Sequence, residues 1–189
     1  PDTASAPTRR RIARWADPAP LALARRATDG LTFFRKIAAG ELPQPPLYDL
    51  LGFRLAGVDP GTARFEGETG EHLLNPFGTV HGGYAATILD SGCGVALQSM
   101  LPRGQGTATI RLEIAFLRPM LPAMGRVSAS SRLVHMGRTV AWSEGEILGP
   151  DGKPLARARG CFAVFATETG PPADLPPLDY QSREIAWDD

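Results

Sequence analysis

The sequence has little cysteine and no excess of either charge. Among its 189 residues only Cys93 and Cys161 carry a thiol. Two cysteines do not form a disulfide framework in a chain of this size, which fits a reducing, cytoplasmic setting. Twenty basic and twenty acidic residues give a formal net charge of +0. The chain therefore lacks an overall field to hold nucleic acid or an anionic membrane, and a polyanionic ligand would need a local basic cluster.

Several signatures are also missing. No apolar run approaches the ~20 residues needed to span a bilayer, and the N-terminal stretch has no apolar signal-peptide core. His72, His81, His135 and the two cysteines do not have zinc-like spacing. Neither a G-x-S-x-G elbow nor a P-loop occurs, which disfavours serine hydrolases and nucleotide hydrolases. We expect no metal, no membrane partner and no nucleic-acid partner.

The length suits one domain with terminal extensions. We expect an N-terminal extension over residues 1–44, partly helical and partly flexible. A folded domain follows over 45–168, and a Pro-rich tail over 169–189. Within the extension, residues 1–26 are expected to be poorly ordered apart from a short helix near 21–26.

Two further helices are predicted before the first strand. Asp29 can serve as the N-cap of one helix, and Gly40 stands where a C-terminal glycine belongs. Leu31, Phe34 and Ile37 recur at helical spacing, so one face of this helix should pack on the domain. A short helix over 46–51 should end at the following glycine.

The remaining order is two strands, one long helix over 82–100, and a meander of four strands. The helix is almost entirely apolar or small, which is expected if a curved antiparallel sheet encloses it. The fold class is therefore α+β. Turn signals, including Pro150-Asp151-Gly152, separate the predicted strands. These strands cover residues 53–58, 62–68, 107–117, 125–136, 139–148 and 154–165.

The first candidate site is His81-Gly82-Gly83 at the start of the long helix. Backbone N–H groups at a helix N-terminus lack internal partners and can stabilise an oxyanion. Glycine leaves room for a ligand carbonyl, so the Gly82 N–H is a plausible donor. The alternative is an ordinary Gly-rich loop. His81 could be a general base, but a residue that fixes the turn is the favoured interpretation.

The second candidate is Asp90, the one charged residue between His81 and Met100. It lies on a thin polar stripe with Thr87, Ser91, Gly94 and Gln98. A carboxylate on a core helix must be paired, hydrogen-bonded or shifted in pKa, and such groups are enriched at functional sites. The alternative is an Asp bonded to strand backbone or to Ser91.

Helix geometry separates the two candidates. Gly82 and Asp90 are eight residues apart, or ~12 Å along the axis at ~1.5 Å per residue. One reacting carbonyl needs contacts near ~3 Å. If both residues serve one site, an isologous dimer must combine Gly82 of one chain with Asp90 of the other.

The sequence resembles the phenylacetate-pathway (PaaI-type) acyl-CoA thioesterases of the hotdog superfamily over roughly residues 45–167. The resemblance rests on the pattern Asn75-x2-Gly78-x-Val80-His81-Gly82-Gly83 with Asp90 nine residues after the histidine, on the strand Thr109 to Pro119, and on Gly137-Arg138-Thr139. It implies a hotdog fold and hydrolysis of acyl-CoA thioesters, with aryl-acetyl or medium-chain acyl groups equally open. It implies no cofactor beyond the coenzyme A of the substrate, and a homodimer or dimer of dimers.

The resemblance also implies roles for residues. The Gly82 N–H would polarise the thioester carbonyl, and Asp90 of the neighbouring subunit would act as nucleophile or general base. Asn75 would orient the carbonyl or the attacking water, Thr109 would help to place that water, and His81 would hold the Gly82 loop.

Other residues are expected to bind the substrate. Arg138 and Thr139 would meet the nucleotide end of coenzyme A, because a guanidinium suits phosphate. Gly83 is expected to contact the substrate beside Gly82. The acyl tunnel is predicted to be lined by Leu73, Phe77, Tyr84 and Ile88.

Two alternatives stay open. A hotdog module could bind acyl-CoA without turnover, although Asp90 argues against it. A hotdog hydratase or dehydratase would pair a histidine with a carboxylate as acid and base, for which His81 and Asp90 could be recruited.

Overall fold

The computed structural model describes residues 8–167, so the Pro-rich tail predicted for 169–189 lies outside the described residues. Four α-helices and six strands follow one another, with short 3-10 turns at Glu71–Leu73 and Pro122–Met124. In chain order they are α1 (Ala19–Ala27), α2 (Gly30–Ala38), α3 (Pro46–Leu51), β1 (Phe53–Asp59), β2 (Thr62–Glu68), α4 (Gly82–Gln98), β3 (Gln105–Phe116), β4 (Arg126–Met136), β5 (Val140–Leu148) and β6 (Pro154–Ala166). The predicted strands and long helix are confirmed, with ends that differ by two residues or fewer.

The six strands form one antiparallel sheet in the order β1-β2-β4-β5-β6-β3. Helix α4 packs on one face of this sheet, and Ile88 and Leu89 join Phe65 and Ile147 in the core. The chain passes from β2 through α4 to β3, which brings the strand after α4 to the far edge. Strand β3 therefore pairs only with β6 within residues 8–167.

Helix α4 approaches the sheet closely because its packing face carries glycine. A Cβ added at Gly92 would overlap the Oγ of Ser131 on β4. One added at Gly94 would meet Phe162 and Gln98 only at ordinary contact distances of 3.7 and 3.8 Å. The sheet therefore needs glycine at position 92, whereas it leaves room for a Cβ at position 94.

The short helix predicted near residues 21–26 is confirmed. Helix α1 covers Ala19–Ala27, and its Leu21 and Ala24 pack against the core. These two apolar side chains and Arg25 hold the helix on the domain. Arg25 donates hydrogen bonds to the carbonyls of Thr28 and Gln105.

Helix α2 has the predicted ends. The Asp29 side chain accepts a hydrogen bond from the N–H of Thr32, and Gly40 adopts a φ of 78°. Phe34 and Ile37 are buried, and the helix packs on β1 and α4. Across residues 8–167, no helix is long and apolar enough to cross a membrane.

Candidate active site

His81 is the N-cap of α4, and Gly82 is the first residue of the helix. The Nδ1 atom of His81 accepts a hydrogen bond from the N–H of Gly83 at 2.9 Å. The prediction that His81 fixes this turn is confirmed. Gly83 was expected to contact the substrate, but its N–H is already bound to His81, so only Gly82 leaves a donor free.

The Gly82 N–H has no acceptor among the described residues, as the first N–H of a helix has no partner within it. The ring of Phe116 lies beside Gly82, where an added Cβ would be 3.1 Å from two ring carbons. A side chain at this position would press on that ring. Glycine therefore keeps the helix start open next to the end of β3.

Asn75 shapes the loop before α4. Its Oδ1 accepts hydrogen bonds from the N–H groups of Phe77 at 2.9 Å and Thr79 at 3.3 Å. Its Nδ2 donates to the Oγ1 of Thr79 at 2.8 Å. The observed contacts of Asn75 are thus within the loop. Phe77, at the loop tip, is 91% exposed, so its predicted contact with the substrate stays a prediction.

Asp90 and Thr109 meet directly. The Oγ1 of Thr109 on β3 donates to the Oδ1 of Asp90 on α4 at 3.0 Å. Both residues line a cavity of about 230 Å³. Three further members of the predicted polar stripe, Ser91, Gly94 and Gln98, line it too. These stripe residues thus face a cavity that residues of α2, α3, β3 and β6 also line.

A β-bulge explains how Thr109 reaches Asp90. Thr109 pairs with Phe162 and Arg111 with Cys161, so Ile110 is an extra residue in β3. Before the bulge, odd-numbered Thr107 and Thr109 line the cavity; after it, even-numbered Leu112 and Ile114 pack on the core. Bulges of this kind re-aim side chains and are common next to active sites. Alternation read along the sequence cannot reveal this shift.

Sequence reasoning did not identify the two aromatic side chains that helices α2 and α3 add to the cavity. Phe34 comes from α2 in the extension, and Tyr48 comes from α3. Burial raises the pKa of Tyr48, a hydrogen bond with the Ser91 side chain partly offsets this rise, and the nearby charge of Asp90 adds to it. Helical spacing did predict that Phe34 faces the domain. No pattern along the chain places either ring beside Asp90.

Arg138 and Thr139 lie in the loop between β4 and β5. The Thr139 carbonyl accepts a hydrogen bond from the N–H of Val164 on β6. Ala163 of the same strand pairs with Ala108, which lies between the two cavity threonines of β3. At ~4.8 Å per strand, the loop stands about two strands, or ~10 Å, from this part of β3.

Tyr84 does not have the predicted position. It is 4% exposed, and its hydroxyl donates to the carbonyl of Glu68 at 3.2 Å. It is six residues before Asp90, which turns its side chain about 120° away from Asp90 around α4. Ile88 and Leu73 are likewise members of the core. The prediction that these three side chains line the acyl tunnel is therefore corrected, because they pack inside the chain away from the Asp90 cavity.

The contacts of the remaining candidate groups do not point to a catalytic or binding role. Cys93 is fully buried, and this burial raises the pKa of its thiol to about 12, so the thiol is poorly suited to act as a nucleophile. Arg118, a further option for phosphate, pairs with Asp151. Residues 8–167 contain no group of three or more histidine, cysteine or acidic side chains placed to hold a metal ion.

Comparisons with known proteins agree with this geometry. Residues 77–156 match the family described as "Thioesterase superfamily". A Halobacterium salinarum protein named "Putative esterase VNG_1336C" is 35% identical over 130 residues, which cover 63% of this chain and 84% of that protein. Among solved structures, a phenylacetic acid degradation-related protein from Ralstonia eutropha is 30% identical. It matches with a TM-score of 0.62 over 69% of this chain and 98% of its own.

The PaaI protein of the E. coli phenylacetic acid degradation operon shares the fold. Its TM-score is 0.63 at 21% identity, over 77% of this chain and 97% of its own. The helix α4, the six-stranded antiparallel sheet and these relatives agree with one another. The chain belongs to the thioesterase superfamily as a PaaI-type member with the hotdog fold.

Proposed function

We propose that this protein hydrolyses acyl-CoA thioesters to the free acid and coenzyme A. The observation that carries the proposal is the hydrogen bond from Thr109 to Asp90 inside an open cavity. A carboxylate held by a hydroxyl where water and a small molecule can enter is suited to general-base or nucleophilic catalysis. Membership of the thioesterase superfamily supports thioester hydrolysis in general.

Two reaction courses fit the site. As general base, Asp90 takes a proton from water while the hydroxide adds to the thioester carbonyl. The tetrahedral intermediate then expels the coenzyme A thiolate, which receives that proton. As nucleophile, the carboxylate attacks the carbonyl itself, expels the thiolate and forms a mixed anhydride, which water hydrolyses. In both courses negative charge develops on the carbonyl oxygen, where the Gly82 N–H is the proposed donor.

A complete site of this kind needs two chains. Gly82 and Asp90 lie at opposite ends of a helical segment of about 12 Å, given ~1.5 Å per residue. Two α4 helices arranged antiparallel about a two-fold axis would bring Gly82 of one chain to Asp90 of the other. The polar stripe of α4 lies beside β3, an edge strand whose far side has no partner within residues 8–167, and this supports the arrangement. We therefore propose a homodimer, alone or within a dimer of dimers.

Arg138 is the proposed contact for the nucleotide end of coenzyme A. It is exposed in the β4–β5 loop, and Thr139 beside it offers a hydroxyl. The strand register puts this loop about two strands from the cavity threonines. A guanidinium binds phosphate oxygens in bidentate fashion, which suits it to the phosphates of coenzyme A.

Thiol release from a panel of short, medium, long-chain and aryl-acetyl CoA thioesters tests the proposal. Asp90→Asn should lower kcat by at least ~100-fold, because it removes the base or nucleophile. Asp59→Asn is the matched control: Asp59 is exposed and forms only a surface ion pair with Arg35, so its loss should not change kcat. Wild-type turnover in Asp90→Asn would refute the role of Asp90.

The same panel separates the alternatives. An acyl-CoA-binding module would bind the thioesters and release no thiol. A hydratase would hydrate enoyl-CoA, and measuring that reaction in parallel detects it. The hydratase needs His81 as acid or base, whereas its Nδ1 already accepts a hydrogen bond from Gly83, which supports the thioesterase.

A further inference from the structure

The N-terminal helices contribute aromatic side chains to the Asp90 cavity. Phe34 of α2 and Tyr48 of α3 line it together with residues of α4, β3 and β6. Both rings are almost fully buried, so their positions are fixed by packing. Tyr48 is near enough to Asp90 for its pKa to respond to that charge. The two rings therefore face the same space as the proposed catalytic carboxylate.

Helix α2 is fastened to the elements that carry Asp90 and Thr109. The N–H of Gly30 donates to the carbonyl of Leu101, just after α4, at 3.0 Å. A Cβ at Gly30 would overlap the backbone oxygen of Gln98, so α2 can reach this position only with glycine there. Arg25, in the helix before, donates to the carbonyl of Gln105 at the start of β3. These contacts hold α2 in place, and with it the Phe34 ring that forms one wall of the cavity.

The size of the cavity indicates what such a wall would do. Its volume is about 230 Å³. An apolar cavity of about 150 Å³ accepts a benzene molecule. The space beside Asp90 therefore fits a ring or a short chain, and an extended long chain would have to displace an aromatic wall residue.

We propose that Phe34 and Tyr48 form the closed end of the acyl pocket and set the largest acyl group that the protein accepts. This inference rests on the proposed function and assigns a selectivity role to α2 and α3, the two helices just before the sheet. Phe34 is the residue to test, because its truncation opens the wall without altering Asp90, Thr109 or Tyr48.

The experiment compares kcat/KM for hexanoyl-CoA and dodecanoyl-CoA in the wild type and in Phe34→Ala. Each further methylene that becomes buried should add about fourfold to kcat/KM, so burying two should raise the dodecanoyl-to-hexanoyl ratio roughly fifteenfold. Phe33→Ala is the matched control. Phe33 and Phe34 are both 7% exposed, and their ring centroids are 5.0 Å apart, but Phe33 does not line the cavity. Its ratio should stay within about twofold of the wild type, near the scatter expected from small packing changes.

Two further variants test whether the changed ratio comes from the opened pocket or from a general loss of folded protein. Phe34→Leu keeps an apolar side chain and should give a smaller shift in the same direction. Gly30→Ala should displace α2 as a whole and also favour the longer chain, although no pocket side chain is changed. If the dodecanoyl-to-hexanoyl ratio is unchanged in all three variants and Asp90→Asn is inactive, Phe34 does not limit the acyl group. The proposed function would not be affected by that result.

Binding of non-hydrolysable S-hexyl-CoA and S-dodecyl-CoA thioethers, measured by calorimetry, gives a readout that does not depend on turnover. Phe34→Ala should tighten the dodecyl thioether relative to the hexyl thioether by the same factor. If the wild type released no thiol from any acyl-CoA, the proposed function would fail. These dissociation constants would still show whether Phe34 limits the length of the bound chain. An unchanged ratio of dissociation constants, or no binding of either thioether, would overturn this role of Phe34.

Discussion

Replacing Gly82 by proline tests whether its N–H stabilises the reaction. Gly82 is the first residue of α4, a position where proline is favoured because its missing N–H has no partner in the helix. His81 has φ −60° and ψ 135°, the extended conformation that a residue before proline prefers. The exchange therefore removes one donor with little change to the backbone. Loss of one oxyanion donor costs ~100- to 1,000-fold in kcat, and we expect Gly82→Pro to fall in this range.

Gly82→Ala is the control for this variant. Its methyl group meets the Phe116 ring at the same 3.1 Å, but its N–H is kept. Phe116 is 59% exposed and can shift, so Gly82→Ala should retain much more activity than Gly82→Pro. Equal losses in both variants would show that crowding by the side chain, and not the lost N–H, causes the effect.

Mixing the Gly82→Pro and Asp90→Asn proteins tests whether Gly82 of one chain and Asp90 of the other form one site. Each of these two residues is called a half-site below. Each variant alone should be nearly inactive. If subunits reassort at random, half of the dimers are mixed, and each mixed dimer has one intact site and one doubly altered site. About a quarter of the wild-type activity should return. A mixture that exchanges subunits, as mass spectrometry can show, and yet regains no activity would refute a site shared between chains.

Three further predictions concern stability and reactivity. Gly92→Ala and Gly94→Ala gain the same ~1 kcal/mol of helix propensity, but only the first forces a methyl group against Ser131, so Gly92→Ala should be about 1–3 kcal/mol less stable than Gly94→Ala in urea unfolding. Burial raises the pKa of Tyr84 to about 12. Because the folded protein holds this proton more tightly than the unfolded chain, the raised pKa contributes stability below the unfolded pKa near ~10. This contribution is lost as the pH rises towards ~12, so the free energy of unfolding of the wild type should fall by roughly 3 kcal/mol more than that of Tyr84→Phe over this range. Burial also raises the pKa of Cys93 to about 12, so iodoacetamide at neutral pH should label this thiol only after unfolding; rapid labelling of the folded protein would contradict its burial.

Features set by neighbouring residues could be predicted from the sequence. The ends of α2 followed from Asp29 and Gly40, whose capping and left-handed conformation depend on a few adjacent residues. The long helix α4 followed from its small and apolar composition. The polar stripe that carries Asp90 was predicted as well, because helical periodicity assigns residues to faces without reference to the rest of the chain.

Features that depend on distant contacts could not be predicted in this way. Phe34 and Tyr48 reach the Asp90 cavity only because α2 and α3 dock beside α4, and no spacing along the chain encodes that docking. Tyr84 was misplaced for the same reason. It stands next to the motif in sequence, but helix rotation turns its ring into the core. The resemblance gave Thr109 a role, whereas its contact with Asp90 depends on the bulge at Ile110.

The edge of the sheet links the site to assembly. Strand β3 is 12 residues long, and its far side has no partner within residues 8–167. Ile110 and Phe116 on this strand are each 59% exposed, and an exposed apolar edge is a liability that proteins usually cover. The same strand supplies Thr109 to Asp90, and its Phe116 lies against Gly82. A second copy that covers β3 would thus shield the edge and reach both half-sites together. If the proposed dimer forms at β3, breaking it with Ile110→Lys should abolish turnover, while a folded monomer keeps the contact between Thr109 and Asp90. An active monomer would refute the link.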